Sequence, residues 1–117
     1  MAILTRETIL GAQDLQRKTI NVPEWGGEVI VTELSAARRL ELEKDLPEES
    51  GKVWGVLVVF CCVDEQGEPI FTLSDLPELE QKNGKILMRL GKAAMKLNRV
   101  GAGEVEALEE NFTGSQG

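Results

Sequence analysis

The chain has 117 residues, no histidine, no tyrosine and a formal net charge of −7. Without histidine, Ser-His-Asp and Cys-His catalysis are excluded, as are the usual zinc sites, which leaves an enzyme only lysine or carboxylate chemistry. The acidic balance opposes nonspecific binding to nucleic acid, which rewards neutralised phosphates, and favours solubility and basic partners.

The first predicted element is residues 6–11, read either as a short helix ended by Gly11 or as a loose arm. Lys18-Thr19-Ile20-Asn21-Val22 alternates and is β-branched, so Ile20 and Val22 face one side of a strand that Pro23 ends. Glu24-Trp25-Gly26-Gly27 reads as a turn. Glu28-Val29-Ile30-Val31-Thr32-Glu33 is a second alternating strand, and residues 17–33 together make a β-hairpin. Trp25 at the turn has two readings, a cap on the core edge or an exposed contact residue of the kind enriched in binding hot spots.

Ser35 is a plausible N-cap for a helix that begins at Ala36 and stops at Leu46-Pro47. Leu40 is expected to give its apolar contact, and Arg38, Arg39, Glu41 and Glu43 a solvated face. Residues 52–63 are apolar almost throughout. Their valines and Phe60 favour a strand by propensity, but the run is equally consistent with a buried helix. Either way it is central. It contains the adjacent Cys61 and Cys62, which read as small core hydrophobes in a reducing compartment, since sequence neighbours rarely satisfy disulfide geometry, with a redox or metal role as the alternative.

Asp64-Glu65-Gln66-Gly67-Glu68-Pro69 is a turn whose carboxylates are too few, and wrongly spaced, for a calcium loop. Ile70-Phe71 is extended, and Ser74 is the expected cap of a short helix up to Glu80. The strongest local signal is residues 83–100. Ile86, Leu90, Ala93 and Leu97 give one apolar face, while Lys82, Lys85, Arg89, Lys92, Lys96 and Arg99 fill a cationic sector, with Met88 and Met95 beyond it. Gly101 is the expected terminator. Residues 104–112 could form a last acidic helix, with 113–117 a flexible end.

Length fits one domain over 1–117, enough to bury roughly two-thirds of the surface of the unfolded chain. The start has no basic-then-apolar leader and the longest apolar run is far short of the ~20 residues of a membrane span, so a cytosolic protein is expected. Asn111-Phe112-Thr113 matches a glycosylation sequon, which has no meaning without a secretory route. Carboxylate pairs such as Glu48-Glu49 and Glu109-Glu110 read as solvated surface, and the glycines form no lysine-bearing phosphate loop. The cationic stripe is the best candidate for function. Its plain reading is a solvated face, or one paired with Glu104, Glu106, Glu109 and Glu110. Its sharper reading is a docking surface for an acidic helix of a partner, with Lys85, Met88, Arg89, Lys92, Met95, Lys96 and Trp25 as contacts. No aromatic residue interleaves with the stripe, which argues against nucleic acid.

Several strings, in order, carry a family resemblance: Val22-Pro23-Glu24-Trp25-Gly26-Gly27-Glu28-Val29, Glu33-Leu34-Ser35-Ala36, Val63-Asp64-Glu65-Gln66-Gly67-Glu68-Pro69-Ile70-Phe71, Leu97-Asn98 and Glu110-Asn111-Phe112. Over residues 18–112 the chain resembles the tail assembly chaperones of long, flexible-tailed (siphovirus-type) bacteriophages and prophages. The resemblance implies an α+β fold, mainly α-helical, with a small N-terminal β-hairpin packed on a bundle of about four helices. That tilts residues 52–63 towards helix. It also implies a non-catalytic protein without cofactor or metal. Such a protein acts in the host cytoplasm, binds the tape measure protein, keeps it soluble and helps recruit tail tube subunits through a longer, frameshifted product. It would be absent from the mature virion. The alternative is a structural tail or tail-completion protein retained in the particle. Self-association through Trp25 or Trp54 is a further expectation.

Overall fold

The computed structural model describes residues 2–47 and 52–99. Among them, five helices and a three-stranded antiparallel sheet give an α+β fold that is mainly helical, as expected. The order is α1 (Arg6–Gly11), β1 (Arg17–Val22), β2 (Gly27–Thr32), α2 (Ala36–Asp45), α3 (Val53–Cys61), β3 (Cys62–Val63), α4 (Leu76–Leu79) and α5 (Gly84–Asn98). Glu48-Glu49, Gly101 and the acidic segment after it lie outside the described residues.

The hairpin forms as its alternation requires. Arg17 pairs with Thr32 and Val22 with Gly27, and the turn between them is a 3₁₀ segment, Pro23–Trp25, closed by Gly26 at φ 84°. That left-handed angle is open to glycine without a Cβ clash. Val22 and Val31 point into the core, and neither has accessible surface. The sheet, however, has a third strand. Residues 52–63 divide: α3 runs to Cys61, then Cys62 and Val63 turn extended and pair with Val31 and Ile30. A strand through the whole run would need ladder partners along both edges, whereas a helix satisfies its own N–H and C=O groups inside the core.

Every residue from Gly55 to Cys61 is buried, with α5 against one side of α3 and α2 and α4 against others. Each large side chain so buried contributes about 1.5–3 kcal/mol. Both thiols are free and buried, and burial pushes each up to about 12, so they pack as neutral small hydrophobes.

Four local expectations are corrected. In α2, Ser35 is the N-cap, its side chain accepting from the Arg38 N–H at 3.2 Å, but Leu42 makes the core contact while Leu40 is 61% exposed. Two residues apart on a helix, the two leucines stand on nearly opposite sides, so only one can face α3. Nor are the α2 arginines simply solvated. Arg38 lies over the Phe60 ring at 4.5 Å, a cation–π contact, and Arg39 donates to the carbonyls of Asn98 and Arg99. Before α4, the cap is Thr72, whose capping box with Asp75 precedes a 3₁₀ turn; Ser74 instead bonds the Thr72 hydroxyl at 2.6 Å. Finally, α5 ends at Asn98 with Arg99 at φ 49°, before Gly101 is reached.

α1 carries no buried residue, and Ile3, Leu4, Ile9, Leu10 and Leu15 are all exposed. Among the described residues no helix is long and apolar enough to cross a membrane.

Candidate partner-binding face

α5 is positioned by its N-cap and by a buried seam that includes the small residues Gly91 and Ala94. Asn83 accepts from the Lys85 N–H at 2.8 Å, satisfying one of the orphan donors at the helix start. The buried seam is Ile86, Leu87, Leu90, Gly91, Ala94 and Asn98, rotated from the expected one; Ala93 and Leu97 sit at its margin. Gly91 and Ala94 allow α5 to approach α3 closely: a Cβ built on Gly91 would lie 2.7 Å from Trp54 Cε3 and 3.1 Å from Trp54 Cα. Trp54 is therefore half-buried against α5 and packed on the core.

With that face fixed inward, the opposite face presents Lys82, Lys85, Arg89, Lys92 and Lys96, all exposed. The span from Gln81 to Gly103 holds six of the chain's thirteen cations and none of its twenty acids. Met88 lies beside them, 39% exposed, but Met95 is half-buried against the core and so belongs to the packing.

The cations are not equivalent. Arg89 makes a two-pronged pair with Glu24, its two terminal nitrogens donating to Oε1 at 2.9 Å and Oε2 at 2.6 Å. This pair pins the hairpin turn to the middle of α5 and sets Trp25, 41% exposed, next to its point of attachment. The Arg89 hydrogen bonds hold the Glu24 carboxyl down to about 2, and Glu24 holds the Arg89 guanidinium up. Lys85, Lys92 and Lys96 make no ion pair among the described residues. Among the described residues the unpaired part of the face is thus Lys82, Lys85, Lys92, Lys96 and Met88, with Arg89 already paired.

The Glu24–Arg89 pair has a pH signature. A carboxyl depressed in the fold stabilises it above the ordinary value of 4.5, and that contribution fades as pH falls towards about 2. The side-chain carboxyl resonance of Glu24 should titrate near 2 and return towards 4.5 in Arg89→Gln. A midpoint unmoved by that substitution would show that Arg89 does not hold it.

Two residues that organise this region were not read from the sequence. Asn98 is 8% exposed; its Oδ1 accepts from the Leu34 N–H at 2.6 Å, and its Nδ2 donates to the carbonyls of Ala94 at 3.0 Å and Thr32 at 3.2 Å. In the sequence Glu24 stands only in the turn and in the family string, with nothing to mark it as a charge partner. Its partner is 65 residues away, beyond any local pattern. A cleft of about 350 Å³ lies elsewhere, between α2, α3 and residues 69–73, with Phe60 and Phe71 in its lining and walls of mixed charge. No group of His, Cys, Asp or Glu among the described residues could hold a metal ion.

Comparison with solved structures places this architecture. The chain shares its fold with the tail assembly chaperone of bacteriophage HK97, with a TM-score of 0.58 over 78% of this chain and 90% of that one, at 24% identity. No family model and no curated protein sequence matches it significantly.

Proposed function

We propose that this chain is a phage tail assembly chaperone of the siphovirus type, which binds the tape measure protein, keeps it soluble and helps bring tail tube subunits to it. The observation that carries this reading is the fold held in common with the HK97 tail assembly chaperone across most of both chains. The face of α5 suits the task. A long helical partner offers no small group to enclose, so the binder needs a rigid, charged and partly apolar surface. Lys85, Lys92 and Lys96 set register against acidic side chains, and Met88 adapts to uneven apolar ones. Trp25, at the pinned hairpin turn, extends the contact. The protein works in the host cytoplasm, without catalysis, and leaves before the virion matures.

Co-expression with the tape measure protein of the same phage tests this. The tape measure should become soluble and co-purify with this chain. Lys85→Glu, Lys92→Glu and Lys96→Glu together should lower capture by about tenfold or more, mostly through slower association. Arg89 is left intact because reversing it sets two carboxylates against each other at the hairpin. Capture unchanged in the triple variant would move the site off this face. A stoichiometric presence in purified particles would instead make the chain a structural tail component.

A further inference from the structure

Two apolar features are left unmatched among the described residues. One is the N-terminal arm. Ile3, Leu4, Ile9 and Leu10 are all exposed, α1 buries nothing, and none of the four packs on the core. The other is the cleft between α2, α3 and residues 69–73, with the buried Phe60 at its base and Phe71 and the exposed Leu73 in its lining. We propose that the arm of one copy of this chain docks in the cleft of a second copy, reciprocally, so that the two form a symmetric dimer.

Local chemistry shapes the arm for this. Thr5 caps α1, its side chain accepting from the Thr8 N–H at 3.2 Å. Leu4 stands just before the cap and Ile9 at the fourth helical position, the spacing of a hydrophobic staple, which gathers apolar side chains on one side of a short helix. A helix of six residues is marginal by itself in water, so one that buries nothing in its own chain needs an outside surface to hold it. Residues 12–15 join the arm to β1, whose start is fixed by the Gln16 N–H donating to Glu33 Oε1 at 2.7 Å. Such a connection spans up to about 14 Å when extended, enough to carry the arm away from its own chain.

Charge and area select a second copy as the occupant. The arm carries Arg6 beside Glu7, and α2 at the cleft carries Lys44 beside Asp45; none of these makes an ion pair among the described residues. Arg38 and Glu41, also in the cleft wall, already pair with each other at 2.8 Å. Balanced walls offer no net attraction to an acidic or a basic segment, and they suit an apolar one of balanced charge such as residues 2–13. Burying one large aliphatic side chain removes about 60–120 Å² of apolar surface. With the surface those side chains cover, and both arms engaged, the pair removes on the order of 1,500 Å², the size of a specific interface. One arm alone would remove about half of that, which is why the exchange closes on itself. No residue of α5 lines the cleft, so the exchange leaves Lys85, Lys92 and Lys96 open and gives one long partner a pair of such faces. That consequence rests on the chaperone reading; the exchange itself does not.

Sedimentation of the full chain is the first test. A dimer is expected at micromolar concentration. It should hold or tighten in ~1 M salt, because the contact is apolar and each copy carries a net charge of −7. Ile9→Asp with Leu10→Asp should weaken it about tenfold or more, and Leu73→Asp, on the other side of the contact, should do the same. All three side chains are exposed in the single chain, so these variants keep the fold. Mixing then locates the contact. Chains with a nitroxide on Ala2→Cys are combined with isotope-labelled chains that carry none, the native thiols being buried beyond the reagent. The amides of Phe71 and Leu73 in the isotope-labelled copy should broaden, while those of Trp25 and Met88 stay sharp. A chain that stays monomeric, a dimer dispersed by salt, a dimer indifferent to the arm or the Leu73 substitution, or broadening centred on Trp25 would each overturn the proposal. So would broadening of Phe71 and Leu73 found only when nitroxide and isotope share one chain. None of these readings needs the tape measure, so they stand apart from the outcome of the co-expression test.

Discussion

Asn98→Leu should lower folding stability by about 2–4 kcal/mol, seen as a shift of the urea midpoint at constant slope. The side chains are of similar size, so packing changes little; what changes is polar satisfaction. Asn98 Oδ1 takes the Leu34 N–H, and Nδ2 gives to the carbonyls of Thr32 and Ala94. Leucine leaves the Leu34 donor without its side-chain acceptor, where β2 gives way to α2. An unsatisfied buried group costs about 1–3 kcal/mol, more than a typical hydrogen bond contributes net. Asn98→Asp separates the roles. It keeps the acceptor for Leu34 but turns a donor into an oxygen facing two carbonyls, so its carboxyl is pushed upwards. A raised carboxyl stabilises the fold at low pH and loses that contribution as pH rises, so Asn98→Asp should be least damaging in acid. A variant equally unstable at every pH would place the defect in packing.

Asn98 also marks where the sequence stops being readable. The hairpin was legible because period-two alternation and a glycine turn are local. The existence of α5 was legible for the same kind of reason, but its rotation was not. Apolar periodicity puts the face through Ala93 and Leu97, whereas the buried seam runs through Gly91 and Asn98. A glycine and an asparagine carry no hydrophobic signal; their burial follows from a facing Trp54 and from backbone groups on β2 and α2. The cationic face survived this rotation because lysines need only water, and any phase that buries leucines leaves them outside. Its internal division did not, since Glu24 finds Arg89 only through the tertiary fold. Residues 52–63 were ambiguous because burial on every side erases periodicity, and nothing local marks the change from helix to strand at Cys62.

Gly91→Ala should cost about 1–2 kcal/mol, and Gly91→Val more, although alanine is the better helix former. In a helix interior, replacing glycine by alanine alone gains about 0.5–1 kcal/mol. Here the new methyl would meet Trp54 Cε3 at 2.7 Å and the Trp54 Cα at 3.1 Å. The Cα belongs to the first turn of α3 and cannot swing aside as a side-chain end can, so α5 and α3 must move apart. Overpacking of this kind costs about 1–3 kcal/mol, which outweighs the propensity gain. Gly55 supplies the contrast on the facing helix. Its added methyl meets Leu76 Cδ1 at 2.8 Å, a terminal atom that a rotamer change removes, so Gly55→Ala should stay within about 0.5 kcal/mol of the parent. Urea midpoints of the two variants, with tryptophan emission reporting the environment of Trp54, distinguish them. Gly91 lies on the buried side of α5, away from Lys85, Lys92 and Lys96, so Gly91→Ala should still capture its partner under conditions where it remains folded. Weakened capture by a fully folded Gly91→Ala would mean that the spacing of α3 and α5, and not only the charge on α5, shapes the binding face.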